Sequence, residues 1–176
     1  GYTNKYIVYE YGIVSGFVLP TLLLPSFFTS AISSALIPVI SKSYSNNNLK
    51  YTKNKIIQAI IICLMIGIPV TIFFMLFPNF CLQFLYNTNE GVNYLRFLAP
   101  ICLFQYIQSP LTSSLQAMGK ANIAMQGTLI GMISRTFLLI ILSFLKIGMW
   151  GLVISTSISI LLVTHHQYKE IKKILN

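Results

Sequence analysis

The residue with the most chemistry to offer is Arg135, a guanidinium fifteen positions after Lys120 and eleven before Lys146 in a stretch with no other charge. If that stretch crosses a bilayer, the charge sits near mid-membrane, where an arginine costs about 2.5 to 3.5 kcal/mol even on lenient insertion scales. Something must compensate it: carbonyls and a carboxylate inside a helix bundle, or an anionic ligand whose phosphate oxygens fit the planar fork of donors. Gly127 and Gly131 precede it at four-residue steps, so the arginine follows a close-packing stripe that faces protein or a lumen.

Two polar faces accompany it. In "LPSFFTSAISSALIPVIS", residues 24–41, Ser26, Ser30, Ser33 and Ser34 recur at helical spacing on one face. Gln105, Gln108, Ser109, Thr112, Ser113 and Gln116 step by three and four around Pro110. In hydrocarbon such groups need partners, so each face either glues helices together or lines a water-filled cavity. Ser155 and Ser159, one turn apart, suit helix packing in the same way.

Other chemistry is thin. The carboxylates are Glu10, Glu90 and Glu170, all near the ends of apolar runs. There is no phosphate-cradling glycine loop, no HExxH and no nucleophile elbow. His165 and His166 are adjacent and point about 100° apart on a helix, which suits an interface and not a chelating pair. Cys63, Cys81 and Cys102 lack zinc or redox spacing and belong with the small apolar residues. The chain is therefore expected not to be an enzyme, with no cofactor and no metal.

The elements that must position these groups follow from composition. A chain of 176 residues that is 55% hydrophobic and 9% charged, with mean hydropathy +0.74, belongs in a lipid bilayer. The uncharged runs Tyr11 to Ser41, Ile56 to Asn89 and Phe97 to Gly119, with the two runs flanking Lys146, the first interrupted only by Arg135, each exceed the roughly 20 residues that span hydrocarbon. Continuous apolar runs favour helices over barrel strands, which alternate. The fold class is all-α integral membrane, with five transmembrane helices near 13–40, 56–77, 95–117, 122–145 and 147–166, then a basic tail over 167–176. Pro20, Pro25 and Pro38 must bend the first helix. Pro78 ends the second, and Phe80 to Tyr86 reads as a short amphipathic piece at the outer interface.

Cations set the orientation. Lys42, Lys50, Lys53, Lys55, Lys120, Lys169, Lys172 and Lys173 fall on one side; Lys5 and Lys146 fall on the other, with Arg96 at a helix mouth. The C-terminus is thus expected to be cytoplasmic. The net charge of +9 lies along loops with no aromatic-interleaved module, so no nucleic acid is expected as a partner. The opening "GYTNKYIVYEYG" has no initiator Met and no signal-peptide character, and suggests a C-terminal piece of something larger.

Three stretches carry a resemblance. "YGIVSGFVLPTLLLPSFFTSAISSALIPVISKS", "FLAPICLFQYIQSPLTSSLQAMGKANIAMQG" and "IGMWGLVISTSIS", in that order, resemble consecutive signatures of the polysaccharide-flippase branch of the MATE-like (MOP) exporters, the stage V sporulation protein B-like group. The resemblance covers nearly all of the chain. It implies two six-helix lobes around a cavity that opens alternately to each side, in the plasma membrane of a bacterium. It further implies export, or flipping, of a lipid-linked oligosaccharide or a lipid II-like peptidoglycan precursor carried on undecaprenyl. This chain, residues 1–176, then corresponds to most of the second lobe, with the N-terminal lobe as a missing partner. On that basis Arg135, Ser26, Ser30, Ser33, Ser34, Gln105, Gln108 and Thr112 line or brace the cavity, and Gly127, Gly131, Ser155 and Ser159 pack helices. The first span holds no arginine to match the cavity arginines of lipid II flippases. A cation-coupled multidrug exporter of the same fold and a non-transporting membrane scaffold are the alternatives.

Overall fold

The computed structural model describes residues 4–144 and 147–175 and is helical throughout its elements. In order these are α1 (Asn4–Ile13), a π-helical turn (Val14–Val18), α2 (Leu19–Leu23), α3 (Ser26–Ser45), α4 (Leu49–Leu76), α5 (Pro78–Tyr86), α6 (Val92–Ala117), α7 (Ala121–Phe144) and α8 (Trp150–Leu175). Lys146 and Leu145, the last residue of the fourth expected span, lie outside the described residues. The helices outrun the uncharged windows because a helix continues past hydrocarbon into the headgroup region; α8 carries on through the basic segment to Leu175.

Among the described residues, three stretches are long and apolar enough to cross a membrane: Lys5–Leu23, Leu49–Leu76 and Ala121–Phe144. The protein is membrane-embedded and all-α. The other long helices, α3, α6 and α8, are less apolar because each carries the polar face identified from sequence. On α6 Gln105, Gln108, Ser109, Thr112 and Ser113 are half-buried, whereas on α3 Ser33 is buried and Ser30 and Ser34 are exposed. α6 sits at the centre, packing against α3, α4 and α8, whereas α7 rests mainly on α8 and touches α6 lightly.

The first helical run breaks at Leu24–Pro25, and the break is chemically closed. Pro25 has no N–H, so the Thr21 carbonyl accepts from the Leu24 N–H at 3.3 Å instead. Tyr106 Oη on α6 donates to the Leu22 carbonyl at 2.7 Å, and Ser26 Oγ takes the Leu23 carbonyl. Broken helices survive in membranes where neighbours satisfy the freed groups in this way. Tyr106 is 1% exposed, so Tyr106→Phe leaves a buried carbonyl unpaired while conserving volume. The expected cost is about 1 to 3 kcal/mol, read as a lower thermal midpoint in detergent. An unchanged midpoint would mean that Tyr106 only packs.

Apolar contacts gather at both ends of the bundle. One cluster joins Val18, Leu22, Leu82, Leu98 and Val153 around Tyr106; the other joins Ile40, Ile56, Leu111, Leu115 and Ile171. Between α5 and α6, Gly91 at φ +84° turns the chain against the π-helical turn. A Cβ there would lie 2.7 Å from Val18 Cγ2 and 2.8 Å from Ile13 Cγ2, so this corner needs glycine twice over.

Candidate functional site

A cavity of about 320 Å³ lies among α2, α6, α7 and α8. Arg135 enters it from α7, Gln105 and Gln108 from α6, and Thr156 and Ser159 from α8; Leu19 and Leu23 wall the α2 side. The glycine stripe explains the placement. Gly127 and Gly131 are among the buried residues of α7 and let it close on α8, where Ser159 Oγ donates to the Gly131 carbonyl at 2.8 Å. That contact fixes the register, and Arg135, one turn further along the same face, reaches the cavity. Arg135 is half-buried, and among the described residues its guanidinium has no hydrogen bond or ion pair.

The other predicted residues fall in several places. The serines of α3 occupy one arc, and Ser33 at its edge is buried against α6, with Ser33 Oγ 2.8 Å from Ser109 Oγ. Ser30 and Ser34 are exposed and donate back to the Phe27 and Ser30 carbonyls at 2.8 and 2.9 Å. Ser26 is spent on the helix break. Thr112 lies one turn beyond Gln108, outside the cavity lining, and donates to Gln167 Oε1 at 3.1 Å or to the Gln108 carbonyl at 2.9 Å. Ser155 is buried and returns its proton to the Leu152 carbonyl at 3.0 Å. The structure thus brings together Arg135, Gln105, Gln108, Gly131 and Ser159 and leaves the α3 serines apart from them.

The Ser33–Ser109 pair is a typical interhelical hydrogen bond, expected to couple the two residues by about 0.6 kcal/mol. A double-mutant cycle with Ser33→Ala and Ser109→Ala, followed by denaturation in mixed micelles, measures it.

Two features lie outside what the sequence pattern indicates. Gln167 is fully buried between α6, α7 and α8, although it lies in the segment expected as a basic tail. The second feature is a pocket of about 360 Å³ beside the start of α6, in which Glu10 and Glu90 face Tyr9, Tyr94 and Trp150. Tyr94 Oη donates to Glu10 Oε2 at 2.8 Å, Tyr9 Oη donates to Glu90, and Trp150 packs 5.1 Å from the Tyr94 ring. Along α6, eleven residues separate Tyr94 from Gln105, about 16 Å of helix axis. Two of the three carboxylates in the chain are therefore held well away from Arg135. The three cysteines are buried, and burial pushes the Cys81 thiol, on α5, above its usual range.

Chemically, the Arg135 cavity offers one cation with no partner among the described residues, amides and hydroxyls. That set binds an anion with polar substituents. It contains no nucleophile with a base beside it.

Comparison with known proteins agrees with this architecture. Residues 14–142, from the π-helical turn through most of α7, match the MatE family model. The chain is similar to Stage V sporulation protein B of Bacillus subtilis (strain 168), at 32% identity over 168 residues, which is 94% of this chain and 32% of that protein. It is also similar to Sporulation protein YkvU of the same strain, at 25% identity over 167 residues, 94% of this chain and 38% of that one. The chain thus spans about a third of the length of the curated relatives it matches. No solved structure matches it. With a match running through both the α3 break and the arginine-bearing α7, the chain belongs to the MatE family of membrane proteins.

Proposed function

We propose that this chain forms part of one lobe of a transporter that flips a lipid-linked saccharide across the plasma membrane of a bacterium by alternating access, with the C-terminus cytoplasmic. The observation that carries the proposal is the half-buried Arg135, without a hydrogen bond or ion pair among the described residues, in a cavity whose other polar groups are amides and hydroxyls. A guanidinium with no partner among the described residues suits a pyrophosphate, while Gln105, Gln108 and Ser159 suit sugar hydroxyls. A headgroup of that size exceeds 320 Å³, so this lobe supplies one wall and a facing lobe the other. Ser30 and Ser34, one turn apart on α3 beyond the break, are exposed and so open to such a lobe. The substrate class is an undecaprenyl-linked oligosaccharide or lipid II-like precursor, whose tail stays in the bilayer.

A second reading has one specific observation in its favour. The pocket of Glu10, Glu90, Tyr94 and Trp150 joins carboxylates to aromatic rings, a combination that suits an organic cation and hence a multidrug exporter. Its place at the end of α6, away from the membrane centre, counts against a transport path.

The test uses proteoliposomes of the protein with a labelled undecaprenyl-pyrophosphate saccharide on one leaflet and an enzyme outside that trims only exposed headgroups. Protein-dependent trimming supports flipping. Trimming no faster than in empty liposomes, across several saccharides, would sink it.

A further inference from the structure

α6 and α8 turn a second pair of faces to a larger space. It is a groove of about 670 Å³, against about 320 Å³ for the Arg135 cavity, and the two have no lining residue in common. Phe104, Ile107 and Leu111 of α6 form its floor, with Ile60 of α4 on one wall and Ile158 and Leu161 of α8 on the other. α4 and α8 meet only lightly, which leaves the groove open between them. Its polar residues, Thr164, His165 and Tyr168, follow the apolar ones along α8. Thr164 is satisfied within the protein, its hydroxyl donating to the Ile160 carbonyl at 2.8 Å or the Phe104 carbonyl at 3.3 Å. His165 and Tyr168 are exposed.

The groove is as long as one leaflet is deep. From Ile158 to Tyr168 is ten residues, about 15 Å of helix axis, and the hydrocarbon of a whole bilayer is about 30 Å thick. Trp150, an aromatic suited to the opposite interface, lies eight residues or about 12 Å before Ile158, so the apolar end of the groove reaches the membrane centre. The polar end reaches cations. Lys172 stands seven residues past His165, which itself stands seven past Ile158, and on α4 Lys53 stands seven before Ile60. Seven residues are close to two full turns, so each lysine continues a helix face that lines the groove. Opposing charge is turned away. Glu170 is the one carboxylate of α4, α6 and α8, and its position is five residues from His165, about 140° around the helix.

We propose that this groove binds one anionic glycerophospholipid from the cation-rich leaflet, with an acyl chain laid between α4 and α8 and the headgroup at the level of Tyr168, Lys172 and Lys53. The order of chemistry along the groove is that of such a lipid: hydrocarbon from the membrane centre outward, then hydrogen-bonding groups, then positive charge. A zwitterionic lipid would fill the apolar part equally well but gain less from the lysines. The occupied groove joins α4 to α8 through the lipid chain, whatever cargo the transporter carries.

The test uses the protein in nanodiscs of phosphatidylcholine doped with one of two photoreactive probes, a phosphatidylglycerol or a phosphatidylcholine, each with a diazirine at the end of one acyl chain. Labelled residues are then mapped by mass spectrometry. A lysine near the membrane surface favours an anionic lipid by about fivefold, so phosphatidylglycerol should label Phe104 and Leu161 at least about fivefold more than phosphatidylcholine does. Lys172→Gln, at an exposed position, should cut that excess by about fivefold and spare the phosphatidylcholine signal. Ile158→Trp fills the apolar end and should lower labelling by both probes. Equal labelling by the two lipids would make the groove ordinary lipid-facing surface, and labelling by neither would mean that protein covers it; each result overturns the site. An excess that survives Lys172→Gln undiminished overturns it as well.

Discussion

Gly131→Ala should unseat α7 from α8. A Cβ at this position overlaps Val163 Cγ2 and comes within 3.1 Å of Ser159 Oγ, the group that donates to the Gly131 carbonyl. Val163 is β-branched and buried, so its rotamer in the helix is nearly fixed and cannot swing aside. The helix itself must move. α7 has little else to hold it: its buried residues are Ala124, Gly127 and Gly131, and its contact with α6 is light. Overpacking of this kind costs about 1 to 3 kcal/mol, and the upper half of that range is expected because no second interface resists the displacement. Gly127→Ala is the control. Its Cβ would meet Gln167 Cγ and His166 Nδ1 at 3.3 Å, the side chains of longer residues that can yield by a few tenths of an ångström. Unfolding in mixed micelles should therefore rank wild type, then Gly127→Ala, then Gly131→Ala, with Val163→Ala restoring much of the loss in the double variant. Equal midpoints for the two glycine variants would refute the assignment of Gly131 as the closest approach.

Much of this bundle is legible in the amino-acid sequence, for physical reasons that also explain what is not. An apolar run longer than a bilayer is thick leaves few options, so the all-helical, membrane-embedded class follows from the uncharged windows. The GxxxG step from Gly127 to Gly131 and on to Arg135 carries both the α7–α8 contact and the side on which the guanidinium lies, because small residues signal close approach and the next turn inherits the face. The α3 serines show the limit. A polar arc says only that partners are needed; whether the partner is Ser109, a helix break or open space depends on the crossing of α3 with α6, which local periodicity does not encode. Gln167 is obscured by its neighbours. Lys169, Lys172 and Lys173 make the segment read as a solvated tail, yet Val163, Gln167, Ile171 and Leu175 recur every four residues and are all buried. That spacing is the signal, and the lysines mask it by occupying the opposite face. Tyr106 has no signal, since its role follows from where Pro25 frees a carbonyl on another helix.

Arg135→Ala should abolish most transport while leaving the protein at least as stable. The two halves of that expectation have different origins. An arginine at mid-membrane costs about 2.5 to 3.5 kcal/mol on insertion scales, and alanine removes the cost. A structural arginine would offset the gain by leaving its carboxylate or carbonyl partners unpaired, but among the described residues the guanidinium has none to abandon. Stability should then hold or rise, against the fall of several kcal/mol that follows when one member of a buried pair is removed. The binding half runs the other way. A hydrogen bond to a charged group contributes about 1.5 to 3 kcal/mol, so loss of the contact to a pyrophosphate weakens capture by about 10- to 100-fold. Arg135→Lys separates charge from shape: it keeps the cation and loses the planar fork, so transport should fall between wild type and alanine. Headgroup exposure in proteoliposomes, measured beside the denaturation midpoint of each variant, decides the matter. Loss of both together would make Arg135 a bundle residue, whereas loss of transport at undiminished stability places it in the path of the substrate.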